Sequence, residues 1–177
     1  MAFTHDTEAA LVAAVELVNS AESPETMTTT DDLADFFVRH GYTGTLLGND
    51  GELEAVRALR PGLRALLTSS RDDAVPIVNR ILADAEAVPQ LVRHGAVDWH
   101  LHATEDDRPL HTRMVVETAM AMIDAIRADE LSRFGICAAD DCEALVLDLS
   151  RNRSRRFCST TCGNREAVAA YRARQSQ

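Results

Sequence analysis

All four cysteines of this chain lie in its C-terminal quarter, at Cys137, Cys142, Cys158 and Cys162. Their spacing is C-x4-C, then 15 residues, then C-x3-C. Two close pairs separated by a short segment are the pattern that brings four thiolates to one tetrahedral ion. Because protein sulfur would fill all four positions, none remains for water or substrate, and such a site is structural. The spacing therefore predicts a structural Zn2+ site.

Other uses of four cysteines are two disulfides, an iron–sulfur centre and a zinc–thiolate redox switch. The first eight residues, MAFTHDTE, carry two acids and no Arg or Lys, which is unlike a secretory signal. No run of 18 apolar residues could span a membrane. We therefore predict a cytoplasmic protein, where thiols stay reduced and disulfides are disfavoured. A zinc site that oxidises under stress remains open at this point.

The segments around the cysteines predict a treble-clef-like order of knuckle, β-hairpin and α-helix. In EALVLDLSRNRSRRF, the residues Leu145, Leu147 and Leu149 alternate with others, RNRS gives a turn, and RRF begins a return strand. A helix follows over TTCGNREAVAAYRARQ, with Ser159, Thr160 or Thr161 as N-cap and with Val168 and Tyr171 docking on the hairpin. About 40 residues bury too little apolar surface to fold alone, so the metal would supply the missing free energy.

Charge is distributed unevenly along the chain, which has 18 Arg and no Lys. Residues 151–177 carry seven Arg against one acid, a formal charge of +6, while residues 1–150 carry −16. A basic tail on an acidic body is typical of a regulator whose tail contacts nucleic acid. The alternative is that the arginines form a solvated surface or bind the acidic body. The predicted DNA-contacting residues are Arg151, Arg153, Arg155, Arg156, Asn164, Arg165, Arg172 and Arg174, although Asn164 is better suited to capping the helix start.

The first 134 residues predict a mainly helical body. Helices are expected over 7–20, from Thr30 to Gly41, on both sides of Pro61 within 52–70, over 76–87, and from Pro109 to Phe134 with Gly135 as the stop. In VDWHLHA, the alternation of Val97, Trp99, Leu101 and Ala103 with polar residues predicts a half-buried strand, and PQLVR would be its hairpin partner. His100 and His102 share one face of that strand. They would need a third ligand (His94, Glu105 or His111) to bind a metal, so we interpret them as the polar face of the hairpin.

Two parts of the chain resemble known families. The stretch SRNRSRRFCSTTCGNREAVAAYRAR resembles the CGNR zinc-finger family, named for the residues that stand here as Cys162, Gly163, Asn164 and Arg165. CAADDCEALVLDLS fits the first knuckle and strand of that family. AVELVNS, DDLADFFVRHG and RALRPGLRALL are similar to the ABATE domain that accompanies this finger. The resemblance implies zinc on the four cysteines and a role in stress-induced transcription regulation through DNA.

The prediction is thus a mainly α body over 1–134 with a small β-hairpin, followed by a treble-clef-like finger over 135–177. The predicted function is a zinc-binding, DNA-binding transcriptional regulator whose acidic body senses an unknown small-molecule effector or forms a homodimer. The first alternative is a zinc-braced adaptor that binds a protein or ligand and no DNA; the weaker one is a zinc–thiolate redox sensor. No GxGxxG, P-loop, GxSxG or HExxH motif occurs, so no enzyme activity is predicted.

Overall fold

The computed structural model describes residues 3–94 and 97–175, without the side chains of His94 and Val97. Seven α-helices form within this part of the chain: α1 His5–Asn19, α2 Thr30–Arg39, α3 Asp50–Arg57, α4 Arg60–Leu67, α5 Arg71–Asp84, α6 Leu110–Arg127 and α7 Thr160–Gln175. Four strands form two antiparallel hairpins: β1 Gln90–His94 with β2 Val97–His102, and β3 Phe134–Ile136 with β4 Leu145–Leu147. The predicted class, mainly α with a small hairpin and a C-terminal zinc finger, is confirmed. No helix of the described residues is both long and apolar enough to cross a bilayer.

Side-chain caps define where several helices begin. The Thr29 hydroxyl accepts the Asp32 N–H, and the Asp32 carboxylate accepts the Thr29 N–H, which is a complete capping box at α2. Those hydrogen bonds hold the pKa of Asp32 down at about 2. Asn49 caps α3 by accepting the Glu52 N–H. Each cap satisfies a backbone N–H that would otherwise have no partner in the first turn.

Two predicted helix boundaries are wrong by more than one turn. The helix expected to begin at Pro76 begins at Arg71, because the Ser70 hydroxyl accepts the Asp73 N–H and sets the start more than one turn earlier. The helix expected to reach Phe134 ends at Arg127, where Asp129 adopts a left-handed backbone (φ 57°). The Glu130 N–H then bonds back to the Ala125 carbonyl at 2.9 Å, closing the helix end.

Pro61 restarts the chain as a new helix, as predicted. α3 ends at Arg57, α4 begins at Arg60, and Pro61 lies in the first turn of α4, where its missing N–H costs no hydrogen bond. This lets the two short helices present separate apolar faces to one core. That core also includes α1, α5 and α6, and its fully buried side chains include Leu11, Leu66 and Met122.

The β1–β2 hairpin forms as predicted but turns its other face toward the body. Trp99 is 63 % exposed and Leu101 is 44 % exposed, so the expected burial of this apolar face is wrong. His100 and His102 are half-buried instead, with their Nε2 atoms 3.1 Å apart. The two histidines border a cavity that α1 and α6 also line. The two histidines do share the polar face of the strand, but that face is half-buried and the apolar face is exposed.

Candidate metal centre and basic surface

The four cysteine sulfurs meet in one cluster, with every pair within 4.8 Å. Cys142 Sγ lies 3.7 Å from Cys158 Sγ, and Cys158 Sγ lies 3.6 Å from Cys162 Sγ. In a tetrahedral site with Zn–S bonds of about 2.3 Å, neighbouring sulfurs lie about 3.8 Å apart. A disulfide would need about 2.05 Å. The cluster has the dimensions of a zinc site, and its cysteines are not bonded to one another.

The first pair is placed by the β3–β4 hairpin. Cys137 directly follows β3, and its N–H donates to the Ala144 carbonyl at 2.8 Å. The Cys142 N–H donates to the Ala139 carbonyl at 3.1 Å, which closes the tight turn between the two cysteines. These bonds form a knuckle that directs both sulfurs to the same point.

The second pair lies at the start of α7. Ser159 caps this helix through a 3.2 Å bond from the Cys162 N–H to its hydroxyl, as one of the predicted caps. Cys158 just precedes the helix, and Cys162 lies in its first turn. The N-terminal end of a helix favours a thiolate over a thiol through its free N–H groups and dipole. The Cys158 N–H also points at Cys137 Sγ, 3.4 Å away.

The return strand expected over RRF does not form. The partner of β4 is β3, which precedes the knuckle, with Phe134 opposite Leu147 and Ile136 opposite Leu145. Isolated hydrogen bonds, and no strand pairing, hold the segment after the turn. The Arg155 N–H donates to the buried Asp148 carboxylate at 2.7 Å, and the Ala138 N–H donates to the Arg156 carbonyl at 2.9 Å.

The thiol pKa values show what the cluster requires. Burial raises the pKa of Cys158 to about 12, and its three neighbouring thiols act in the same direction. Burial also raises the pKa of Cys137, but hydrogen bonds lower it more strongly, to about 7. These bonds come from the N–H groups of Cys158 and Ala139 and from neighbouring thiols. A second thiolate is thus unfavourable beside the first unless a cation lies between them. A divalent ion reverses this balance and deprotonates its thiol ligands. The donor set therefore fits zinc.

A small apolar cluster surrounds the sulfurs. Val146 and Ala139 are buried against Cys137, and the half-buried ring of Phe157 packs on the same cluster. The ring lies against Gly163, where a Cβ would sit 3.4 Å from Phe157 Cδ2. This shell is too small to be a hydrophobic core in its own right, so the metal would be the main stabilising element of the knuckle over 137–142 and of the start of α7.

Strand β4 is joined to the helical body. The Asn19 side chain of α1 bonds both backbone groups of Leu145, donating at 2.9 Å and accepting at 2.7 Å. Leu145 and Leu147 belong to the main core. The Arg133 guanidinium donates to the carbonyls of Asp148 and Ser150 at 2.9 and 3.2 Å. Sequence reasoning missed this role of Asn19 and Arg133, because nothing in their local pattern indicates partners that lie 126 and 15 residues away.

The predicted basic residues of the turn differ in what holds them. Arg153 is ion-paired with Glu130 at 2.7 Å and donates to the Ser132 hydroxyl at 2.9 Å. The Arg155 guanidinium donates to the Cys158 carbonyl at 3.0 Å, beside the metal cluster. Arg156 lies over the Phe157 ring at 5.7 Å, and Arg151 is exposed. The turn is thus partly tied to the body and partly open to solvent.

The terminal helix α7 is exposed along its length. None of its residues is buried, and Val168 and Tyr171 are 48 % and 57 % exposed, so their predicted docking on the hairpin is wrong. Asn164 is exposed inside the helix and does not cap it, since Ser159 does. Arg165, Arg172 and Arg174 are exposed as well, with Arg165 3.9 Å from Glu166. The helix extends from the metal cluster and carries these side chains into solvent.

Among the described residues, the four cysteines are the only group of three or more His, Cys, Asp or Glu side chains placed to hold a metal. The pair His100 and His102 therefore gains no third ligand from Glu105 or His111, and the side chain of His94 lies outside the described part.

Comparison with known families agrees with this geometry. A family model described as "Putative stress-induced transcription regulator" (ABATE) matches residues 11–129. A second model, the CGNR zinc finger, matches residues 133–175. No curated protein matches the sequence significantly. Both predicted resemblances are confirmed, in the predicted order along the chain, and Zn2+ is the cofactor of the second family.

Proposed function

Because the chain belongs to the ABATE family and carries a CGNR zinc finger, we propose that this zinc-binding regulator acts by binding DNA. In this proposal Cys137, Cys142, Cys158 and Cys162 are the zinc ligands. The finger over 135–177 contacts DNA, and the body over 1–134 senses or dimerises. The observation that carries the proposal is the exposed α7, which begins at the sulfur cluster and carries basic side chains in an otherwise acidic protein.

Zinc would fix the direction of α7 through Cys158 and Cys162, since both ligands lie at its start. The exposed Arg151 and Arg156 lie in the turn and Arg174 lies at the far end of the helix, so phosphates could be neutralised along its length. The remaining predicted contacts are Arg153, Arg155, Asn164, Arg165 and Arg172. Arg153 and Arg155 would act mainly through positioning, because their guanidinium groups already have protein partners.

One short helix offers little area for reading bases, so we propose that a homodimer presents two fingers to DNA. The acidic body would be repelled by the phosphates, which would keep it away from the duplex and leave the finger as the contact. The protein would act in the cytoplasm. The matched families are not families of enzymes, and we propose no catalytic role.

The test is a fluorescence-anisotropy titration of the zinc-loaded full chain with mixed-sequence duplex DNA at several salt concentrations. The variant carries Arg151→Gln, Arg156→Gln and Arg174→Gln. The matched control carries Arg80→Gln, Arg93→Gln and Arg108→Gln, which removes the same charge from the exposed body surface. We expect the finger variant to bind much more weakly and its salt slope to fall by about 0.9 for each phosphate that it no longer neutralises. The control should bind like the wild type.

Absence of binding at low salt would overturn the DNA proposal, as would equal losses in the two triple variants. Equal losses would mean that net charge alone governs the association.

One contact favours the adaptor alternative, in which the finger meets a protein and no DNA. Glu130 accepts both Arg133 at 2.8 Å and Arg153 at 2.7 Å, so part of the basic turn is already bound to an acid of the chain. An exposed apolar pair, Val168 and Tyr171, adds a surface suited to a protein partner. Under this alternative, Tyr171→Ala would abolish partner capture while DNA binding is absent in every variant.

A further inference from the structure

A cavity of about 720 Å3 lies in the helical body, and none of the four cysteines lines it. It is bounded by the first half of α1, the end of α2, strand β2 and one face of α6. Sites for small molecules typically measure roughly 300–1,000 Å3 and are concave and mostly apolar. The cavity is large enough for an organic molecule of ordinary size.

Much of the wall is apolar. Val12 and Ala13 of α1 line the space together with Met120 and Ile123 of α6, and the ring of Tyr42 contributes an aromatic surface. Phe36 and Phe37 lie beside that ring, each with its centroid 6.2 Å from the centroid of Tyr42. These contacts hold the ring in place. The wall therefore suits a ligand with an apolar body.

The charged lining is acidic. Four carboxyl groups border the cavity against two guanidinium groups: Asp6, Glu8, Glu117 and Asp124 against Arg39 and Arg127. Arg39 is also paired with Glu16 outside the lining, at 3.7 Å. Burial lowers the pKa of His40, which also lines the cavity, below its ordinary value. A cation is favoured over an anion by this lining.

Glu117 is the carboxyl group in this lining that lacks a protein donor. Among the described residues, none donates a hydrogen bond to it, whereas Asp124 accepts from the Thr7 hydroxyl at 2.7 Å. Three bonds from the nearby Arg113 guanidinium go to backbone carbonyls, those of Arg108, Thr43 and Thr45. Burial raises the pKa of Glu117 to about 7. Glu117 is partly buried and lines the cavity, so its carboxyl group is accessible to a ligand, and a hydrogen bond from a charged donor is roughly twice as strong as one between neutral groups.

We propose that this cavity binds a small organic cation, an amine with an apolar body, whose ammonium group donates to Glu117 and lies against the Tyr42 ring. The ring face attracts a cation through its quadrupole, and the carboxylate supplies charge and an acceptor. A metal ion is not the ligand expected here, because the described lining does not bring three metal-binding side chains together. The inference goes beyond the proposed DNA-binding function and does not depend on it.

The test uses three probes with one apolar body and different charges: 4-phenylbutylamine, 4-phenylbutanol and 4-phenylbutyrate. Binding to the zinc-loaded full chain is measured by isothermal titration calorimetry without DNA. We expect the amine to bind at least about tenfold more tightly than the alcohol or the acid. Glu117→Gln should remove this preference and leave the alcohol unchanged. Glu54→Gln, a matched change at an exposed site of α3, should leave all three affinities unchanged.

A second variant, Met120→Trp, fills the cavity and should weaken all three probes together. Circular dichroism and zinc content must match the wild type in every variant. The proposal is overturned if the amine binds no better than the acid. Full amine affinity in Glu117→Gln, or in a folded Met120→Trp protein, would overturn it as well. Failure of DNA binding would leave these outcomes unaffected, since no DNA is present.

Discussion

Glu117 is an ionisable side chain whose environment opposes its charge. Burial is the largest influence on its pKa and raises it; the Arg113 charge lowers it and the Asp106 charge raises it. The result is about 7, compared with an ordinary value of 4.5. In the unfolded chain this group ionises near 4.5, whereas in the folded protein it keeps its proton to about pH 7. The folded state therefore binds more protons in this window, and stability falls as pH rises through it.

Glu117→Gln should remove that pH dependence, because the amide cannot ionise. Between about pH 4.5 and 7 the wild type should lose up to about 3 kcal/mol relative to the variant, with no further divergence above about pH 8. Urea denaturation of both proteins at a series of pH values measures this difference. Loss of zinc at acidic pH affects both proteins alike and cancels. Parallel curves for the two proteins would contradict the prediction, and Glu54→Gln should give a curve parallel to that of the wild type.

At the level of single residues, the convergence of the four cysteines was the site prediction that the sequence supported best. Two close cysteine pairs separated by a short segment are the pattern by which four thiolates bind one tetrahedral ion, so the spacing alone predicts that the four sulfurs converge. Glu117, Tyr42 and Asn19 could not be found this way. Each is an ordinary residue type in a helical pattern or a loop, and its environment arises only when distant elements pack together.

Between elements, α1 is hydrogen-bonded to β4 through a single side chain. Asn19 bonds the Leu145 N–H and carbonyl at once, and Leu145 is only 2 % exposed. Removing the amide would leave two backbone groups without partners in a place that water scarcely reaches. Buried groups of this kind cost about 1–3 kcal/mol each.

Asn19→Ala should therefore destabilise the zinc-loaded protein by about 2–4 kcal/mol, measured by urea denaturation followed by far-UV circular dichroism. Asn79→Ala, on the exposed face of α5, serves as control and should stay within about 0.5 kcal/mol of the wild type. A loss for Asn19→Ala no larger than that of the control would show that water or another donor replaces the amide.

Helix starts were predicted correctly at two capping residues, Thr29 and Ser159, but the cap Ser70 at the start of α5 was missed. Helix ends were harder to predict. Nothing in the residues 128–134 marks a stop as strongly as Gly135 does, yet Asp129 takes the left-handed conformation and Gly135 lies within β3. The face of β2 was misassigned because alternation identifies two faces without saying which one the body covers.

For the whole molecule, the finger and the body share structure where the sequence suggests a boundary. The two family matches divide the chain near residue 130, and the basic tail begins within the second of them. The division into 1–134 and 135–177 remains a prediction. Leu145 and Leu147 nevertheless pack in the main core, and the Asp148 N–H bonds the Arg133 carbonyl at 2.9 Å. Strand β4 therefore has two sources of stability: the metal-bound knuckle and the helical body.

This arrangement predicts how the protein responds to loss of zinc. Hydrogen exchange of the full chain, with and without a chelator, should show protection lost at residues 137–142 and at the start of α7, because little besides the metal holds them. The amides of β4 should stay protected, since Leu145 donates to Asn19 and the strand remains packed on α1. Asn19→Ala should extend the loss to β4 after chelation. If chelation exposes β4 in the wild type as fully as the knuckle, the finger folds as one unit with zinc and its contacts with the body contribute little.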